Sequence, residues 1–453
     1  MQRAKMSEFE QNYVNMFDLL ICLTKAVDLI SHELENHHQQ VAYLALRIAE
    51  QLRLPVEQKK DLILAGLLHD VGTISLDERL ELIENEPLTA QNHALRGAKL
   101  IEGFSPLHHA ADIIRFHHVP WNYGEGNFFQ GNRVSQLSHI LHLADRVAVL
   151  TGSNQNILGK VKEIRKTILS QKGRNFQPEL ADAFLEISAQ EYIWLDLVYS
   201  PLIYILPKAV TFDTLELSLD EVIGLTGIFS NIIDSRSPFT AYHSAGVAST
   251  AEKLAELAGF SEVECKMMLV AGNLHDLGKL AVRREVLEKQ DRLNAEEFNE
   301  IRSHTFHTYR LLELIKGFET INQWASFHHE KLNGKGYPFH LKGANIPLGS
   351  RIMAVADIFT AISENRPYRQ GMEQQEVVSV LQSMVGDGAI CPKVVALLLS
   401  NYELIDETRK TAQQKARYSF TVSLTETRKK SAILQIEEDS SMNFLPENKE
   451  LTV

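Results

Sequence analysis

Three cysteines in 453 residues, Cys22, Cys265 and Cys391, with no CxxC pair among them, leave no material for a disulfide framework or a zinc ribbon. They fit a reducing compartment. Positive charge is also short: 46 Lys and Arg stand against 58 Asp and Glu, a formal net charge of −12. A surface of that sign repels nucleic-acid backbones and anionic lipid, so no DNA or RNA duplex is expected as a partner unless basic residues gather locally. An apolar run of membrane length is missing as well. Met1 to Glu10 is polar and charged where a secretory signal needs an apolar stretch. Tyr192 to Leu206, the most membrane-like segment, is interrupted by Asp196, Ser200 and Pro201 and falls short of the ~20 residues that span a bilayer. It reads as buried packing, and the chain as a cytoplasmic protein without a membrane partner.

What is present is the balance of a folded protein, 44% hydrophobic and 23% charged, long enough for two or three cores. The 18 histidines are the unusual feature, because many of them recur in order. Ala65-Gly66-Leu67-Leu68-His69-Asp70-Val71-Gly72 returns as Ala271-Gly272-Asn273-Leu274-His275-Asp276-Leu277-Gly278, 206 residues later. His37 and Val41 match His243 and Val247 at the same offset. His93 matches His304, and His117-His118 matches His328-His329, at 211; Ala144-Asp145 matches Ala356-Asp357 at 212. Seven His and Asp positions thus recur with two small slips, which makes the chain an internal duplication, about 20–195 and 220–405.

Both copies read as helical. Val41, Leu44, Ile48 and Leu52, and likewise Val247, Ala251, Leu254 and Ala258, repeat at helical spacing. Leu62 to Leu68 reads as a buried helix whose end presents His-Asp to a cavity. Between the copies Pro201 and Pro207 punctuate a connector, and Thr211 to Leu217 alternates like a short strand. In the polar, basic tail, Tyr418 to Leu424 and Ser431 to Ile436 alternate as a small β-hairpin would.

Histidine with aspartate and no cysteine makes a borderline-hard ligand set suited to Mn²⁺, Fe²⁺, Mg²⁺ or Zn²⁺. Five imidazoles and two carboxylates per copy are about twice what one ion needs, so the natural reading is two ions sharing a bridging carboxylate. Two ions about 3.5–4 Å apart activate water and neutralise a phosphoryl oxygen during in-line displacement, which points to phosphoester hydrolysis. A lone buried histidine is more often a hydrogen-bonded core residue. Burying His275-Asp276 and His328-His329 without partners or metal, however, would cost several kcal/mol. His32, His38, His108, His109, His139, His142, His307 and His340 have no repeated counterpart and read as surface or structural.

His275-Asp276-Leu277-Gly278-Lys279, His328-His329-Glu330, Gly336-Tyr337-Pro338, Asp357 and Arg366-Pro367-Tyr368-Arg369 together resemble the HD-GYP family of bacterial cyclic dinucleotide phosphodiesterases over about residues 230–405. The first copy resembles it more weakly, over about 30–155. The resemblance implies an all-α fold of two tandem HD-type helical domains: a degenerate one over 1–200, a connector over 201–220, a catalytic one over 221–408 and a tail over 409–453. It implies two divalent ions, Fe, Mn, Mg or Ni, in the second copy. One would be held by His243, His275, Asp276 and Asp357 and the other by His304, His328 and His329, with Asp276 bridging. Lys279 would set its ammonium on the scissile phosphate, and Gly336, Tyr337, Arg366 and Arg369 would bind substrate. Residues 328–369 carry six basic side chains against three acidic ones, a local excess that suits an anionic ligand.

Some relatives add a third metal through a glutamate four residues before the first histidine. Phe239 stands there in the second copy, which implies two ions only; Glu33 stands there in the first, as a ligand or a solvated carboxylate. The first copy keeps His37, His69, Asp70, His93, His117, His118 and Asp145 for a second metal centre. It has Thr73 for Lys279, Val119 for Glu330 and Tyr123-Gly124-Glu125-Gly126 for the Gly-Tyr-Pro loop. It therefore reads as a poorly active module that supports, regulates or dimerises the second, and a homodimer is compatible with it. The expected reaction opens a 3′,5′-cyclic dinucleotide to a linear 5′-phosphorylated one. The motifs leave cyclic di-GMP and 3′,3′-cyclic GMP-AMP both open as substrates. The alternatives are a phosphomonoesterase acting on small nucleotides and a non-catalytic cyclic dinucleotide sensor.

Overall fold

The computed structural model describes residues 14–30, 36–73, 78, 90–152, 156–210, 216–235, 242–365 and 369–418. It is all-α among them, with two-residue strands only. The first repeat comprises α1 (Met16–Asp28), α2 (His37–Gln51), α3 (Val56–Leu68), α4 (Ala90–Ile101), α5 (His108–Arg115) and α6 (Gln136–Thr151). Four helices follow: α7 (Ile157–Ser170), α8 (Pro178–Ile187), α9 (Glu191–Tyr199) and α10 (Leu202–Ala209). The second repeat holds α11 (Leu219–Ser235), α12 (His243–Leu257), α13 (Glu262–Leu274), α14 (Arg284–Leu287), α15 (Ala295–Arg302), α16 (His304–Leu312), α17 (Glu319–Ser326), α18 (Leu348–Ser363), α19 (Gln374–Gly386) and α20 (Pro392–Ser400). A last helix, α21, covers 402–418.

The duplication is visible in the packing. α12 lies against α13 and α18 as α2 lies against α3 and α6. Close approach in each pair depends on a bare glycine. A Cβ on Gly272 would sit 2.4 Å from the Cα of Ala248, and one on Gly66 would sit 2.6 Å from the Cα of Ala42. Gly272→Ala is therefore expected to lower stability by about 1–3 kcal/mol through overpacking, read as an earlier denaturation midpoint.

Neither α2 nor α12 caps its own N-terminus with a side chain. The cap comes from the preceding helix at matching positions. Asp28 accepts from the Asn36 amide (3.1 Å), and its other oxygen is 2.9 Å from His38 Nδ1. Asp234 accepts from the Ser244 amide (3.2 Å) and hydroxyl (2.8 Å). A carboxylate at a helix N-terminus complements the exposed amides and the dipole, and here it fixes where His37 and His243 enter their helices.

The two halves are not independent cores: one buried apolar cluster runs through both. α1 packs on α2 and α3, yet it also touches α16 and the 3₁₀ turn Leu277–Ala281 of the second repeat. Val14 pairs with Leu217 antiparallel, tying the start of the described chain to the entry of α11.

Several local expectations are corrected. The connector holds a helix: Leu202 and Leu206 are buried one turn apart, a stripe that carries α10 through Pro207 near its end. Only 216–217 of the expected strand falls in a strand, and 211–215 lies outside the described residues. The tail begins as helix, because Arg409 is buried and binds Asp406 (2.6 Å) and Gln413 (2.7 Å); Tyr418 lies in α21 rather than in a strand. The remainder of the hairpin reading, and the Glu33 and Phe239 positions, lie outside the described residues. Tyr192 to Leu206 is buried on one side only, through Ile193, Trp194, Leu197, Leu202 and Leu206, while Tyr192, Tyr199 and Tyr204 face solvent. Among the described residues no helix is long and apolar enough to cross a membrane.

Candidate metal centre

Each ligand candidate of the second repeat stands at a helix end or on a buried helix face. His243 opens α12, His275 caps α13 with Asp276 after it, His304 opens α16, His328-His329 follow α17, and Asp357 lies within α18. A shared local device sets the imidazoles. Nδ1 of His275 is 2.7 Å from the Gly272 carbonyl, Nδ1 of His304 2.6 Å from Ile301 and Nδ1 of His328 2.6 Å from Ala325, three residues back in every case. A carbonyl only accepts, so each Nδ1 carries the proton and each Nε2 turns a lone pair inward.

The inward atoms converge. His243, His275 and Asp276 form one group, and His304, His328 and His329 another. Asp276 joins them, with Oδ2 3.2 Å from His275 Nε2 and Oδ1 3.5 Å from His304 Nε2. Asp357 Oδ1 lies 3.1 Å from His243 Nε2. Yet the set does not satisfy itself. His275 Nε2 and Asp276 Oδ1 are buried without a hydrogen bond, and His304 Nε2 faces His328 Nε2 at 3.3 Å. With both Nδ1 protons committed to carbonyls, that contact sets two lone pairs against each other.

Electrostatics keep His304, His328 and His329 neutral and Asp276 and Asp357 ionised. Burial and the neighbouring His328 and Lys279 outweigh Asp276 and bring His304 down to about 3. Burial and His275 bring His328 to about 4. Burial and His328 hold His329 well below the ordinary histidine range. Although burial opposes ionisation, His275 and Lys279 hold Asp276 well below the carboxylate range, and His243 does the same for Asp357. His243 goes the other way: against burial, Glu364 and Asp357 raise it to about 10, so a cation arriving there would displace a proton. Neutral imidazoles at His304, His328 and His329 beside ionised Asp276 and Asp357, with orphaned atoms facing one another, fit a divalent cation pair.

The first repeat repeats this arrangement. His37, His69 and Asp70 form one group and His93, His117 and His118 the other, with Asp70 Oδ1 3.2 Å from His93 and Oδ2 3.4 Å from His69. Asp145 Oδ1 is 3.2 Å from His37. His93 and His118 set Nε2 against Nε2 at 3.2 Å, and His69 and His117 leave Nε2 buried without a hydrogen bond. The surroundings differ. The Thr73 hydroxyl is spent on the Asp70 carbonyl (2.8 Å). Arg146, which the sequence reading passed over, sets its guanidinium on Asp145 Oδ2 at 2.7 Å. His38, His139 and His142 are buried around the cluster: the His38 ring is 5.3 Å from His69 and that of His142 is 6.0 Å from His118.

In the second repeat Lys279 Nζ lies 2.6 Å from Asp276 Oδ2. Burial pulls its proton affinity down, but Asp276 and Asp357 outweigh it, so the side chain is an ammonium at the rim of the cluster. Glu330 is buried and accepts from the amides of Phe339 (2.6 Å) and Leu341 (2.9 Å), which pins the loop carrying Tyr337. The Tyr337 ring centre is 4.9 Å from that of His329. Gly336 is also tight against its own chain. A Cβ there would lie 2.3 Å from Lys331 N and 2.5 Å from His329 O, so its bareness admits the chain's own backbone. The Arg369 guanidinium donates to the Ala361 carbonyl at the protein surface, and Arg366 lies outside the described residues. Sequence reasoning missed Glu364, buried against His243, because its match in the first repeat is Gly152 and no duplicated signal marks it.

Comparison with known proteins agrees with this geometry. The HD domain is matched over residues 34–150 and again over 227–394. The 3′3′-cGAMP-specific phosphodiesterase 1 of Vibrio cholerae is 31% identical over 398 residues, covering 86% of this chain and 92% of the relative. The 3′3′-cGAMP-specific phosphodiesterase 3 of the same organism is 26% identical over 453 residues, covering 88% and 96%. A cyclic di-GMP phosphodiesterase of Thermotoga maritima is 32% identical over 195 residues, 42% of this chain and 52% of the relative. The crystal structure of a cyclic GMP-AMP-specific phosphodiesterase of V. cholerae superposes with a TM-score of 0.62 at 23% identity, covering 86% of this chain and 98% of that one.

Proposed function

We propose a substrate and a division of labour for this chain, which belongs to the HD-domain family of cyclic dinucleotide phosphodiesterases. It is a hydrolase of that family. The substrate we assign is 3′,3′-cyclic GMP-AMP, because two relatives named for that molecule match along nearly their whole length, whereas the Thermotoga relative named for cyclic di-GMP matches over about half of its own. The product is the linear 5′-phosphorylated dinucleotide: water adds across one phosphodiester, the P–O3′ bond breaks, and the 3′ oxygen leaves with a proton.

The second repeat carries turnover. His243, His275, Asp276 and Asp357 would hold one divalent cation and His304, His328 and His329 the other, with Asp276 between them. Such a pair supplies Lewis acidity that activates water and neutralises phosphoryl charge. The chain's own residues do the rest. Lys279 meets the charge that builds on the scissile phosphate, Glu330 fixes the loop that places Tyr337 beside the centre, and Arg366 and Arg369 receive the second phosphate or a base edge. The observation that carries this reading is the opposed pair of Nε2 lone pairs on His304 and His328, with Asp276 beside them. The first repeat supports the second through α1, which packs on the 3₁₀ turn holding Lys279.

The test is hydrolysis of a panel of cyclic dinucleotides before and after exhaustive chelation, with metal content measured in parallel. Turnover is expected to favour the mixed molecule by about tenfold or more, to vanish on chelation and to return with Mn²⁺ or Fe²⁺. Full activity in chelated, metal-free protein excludes the reading.

A further inference from the structure

His243 differs from its neighbours in what holds it. His275, His304 and His328 give Nδ1 to backbone carbonyls, but Nδ1 of His243 lies 3.1 and 3.2 Å from the two carboxylate oxygens of Glu364. Glu364 is 7% exposed and follows the last residue of α18, so one helix supplies both carboxylates that grip this ring: Asp357 faces Nε2 at 3.1 Å and Glu364 faces Nδ1. Glu364 is held in turn from the C-terminal helix. Gln413 Nε2 donates to its Oε2 at 2.9 Å, and the amide oxygen of Gln413 accepts from Arg409 at 2.7 Å. Arg409 is 3% exposed, pairs with Asp406 at 2.6 Å and stands over the Phe359 ring. α21 also seats against α12 just beyond His243, since a Cβ on Gly246 would lie 2.9 Å from Gln413 Nε2.

We propose that Glu364 is a positioning residue for the metal centre and that α21 is built into that centre through Gln413. The inference rests on the metal-centre reading of the second repeat. By accepting a hydrogen bond from Nδ1–H, Glu364 fixes the His243 tautomer that presents Nε2, beside Asp357, to the centre, and it makes that nitrogen a stronger donor to a metal. An anionic partner does this better than a carbonyl, and loss of such a partner commonly lowers metal affinity by 10–100-fold. The matching position in the first repeat is Gly152, which has no side chain to offer His37. The two centres are accordingly unequal: the second holds its ions more tightly, and it does so only while α21 is docked.

The test is Mn²⁺ titration against a chromophoric chelator in the full-length chain, with His69→Ala as the common background so that binding reports the second repeat. Glu364→Gln is expected to weaken Mn²⁺ binding about 10–100-fold, Glu364→Asp to restore part of the loss, and Gln413→Ala to weaken it less but in the same direction. At saturating Mn²⁺ the KM for the cyclic dinucleotide stays at the parent value, a separation that general structural damage would not give. Unchanged Mn²⁺ affinity in Glu364→Gln overturns the proposal while sparing the metal reading. Absence of Mn²⁺ binding in the His69→Ala parent overturns the reading itself. Should thermal melts show that Glu364→Gln fails to fold, Gln413→Ala, at a half-exposed site, decides the matter: unaltered affinity there rejects the link to α21 and a loss supports it.

Discussion

His275→Ala is expected to lower kcat for cyclic dinucleotide hydrolysis by about a thousandfold or more, roughly 4 kcal/mol of barrier, while His69→Ala leaves it within about tenfold of wild type. The two histidines are matched in how their own helices hold them. Each caps a buried helix, gives Nδ1 to a carbonyl three residues back (2.7 Å to Gly272, 2.9 Å to Gly66) and leaves Nε2 buried without a hydrogen bond. What differs is the surroundings. Beside His275 stands an ammonium on Asp276, with a loop pinned by Glu330 nearby; beside His69 stand a threonine whose hydroxyl faces a carbonyl and Arg146 bound to Asp145. Equal geometry with unequal neighbours makes the contrast a test of those neighbours. Steady-state hydrolysis with metal content measured on both variants checks it, and loss of turnover in His69→Ala alone would exchange the roles assigned to the halves.

The site was legible because the chain states it twice. The same seven residue types recur in order, and the helix-end placement of His275 follows from the apolar run that stops at it. What stayed hidden has physical reasons. Glu364 meets His243 across 121 residues and occupies a place where the first repeat has glycine, so neither spacing nor duplication marks it. Asp28 and Asp234 do recur at the shared offset, but an acidic residue in a chain with 58 of them carries no signature until the structure shows it capping the next helix. α10 was masked by its prolines, which spoke for a connector, while the burial of Leu202 and Leu206 decided for helix. At Gly336 the structure adds a contact that no motif states, the close approach of Lys331 N and His329 O to its bare Cα.

Lys279→Met is expected to reduce kcat about 100- to 1,000-fold with little change in KM and little change in bound metal, and Lys279→Arg to recover part of the loss. Methionine keeps the aliphatic stem packed and removes only the charge. In the structure the ammonium is 2.6 Å from Asp276 Oδ2, on the carboxylate that stands between the two ligand groups. A cation there has two conceivable uses: to hold Asp276, or to meet a phosphate arriving at the centre. The first would show as lost metal, since Asp276 would lose a partner that keeps it ionised. The second would show as lost kcat alone, because the interaction strengthens only as charge accumulates on the phosphoryl oxygens. Asp276 has His275 beside the same oxygen, 3.2 Å away, so its position does not hang on the lysine. The turn that carries Lys279 is itself braced by α1 from the first repeat, which gives that repeat a mechanical share in the same step. Metal content equal to wild type with kcat down at least 100-fold supports the phosphate role; parallel loss of metal and kcat would assign Lys279 to Asp276 instead.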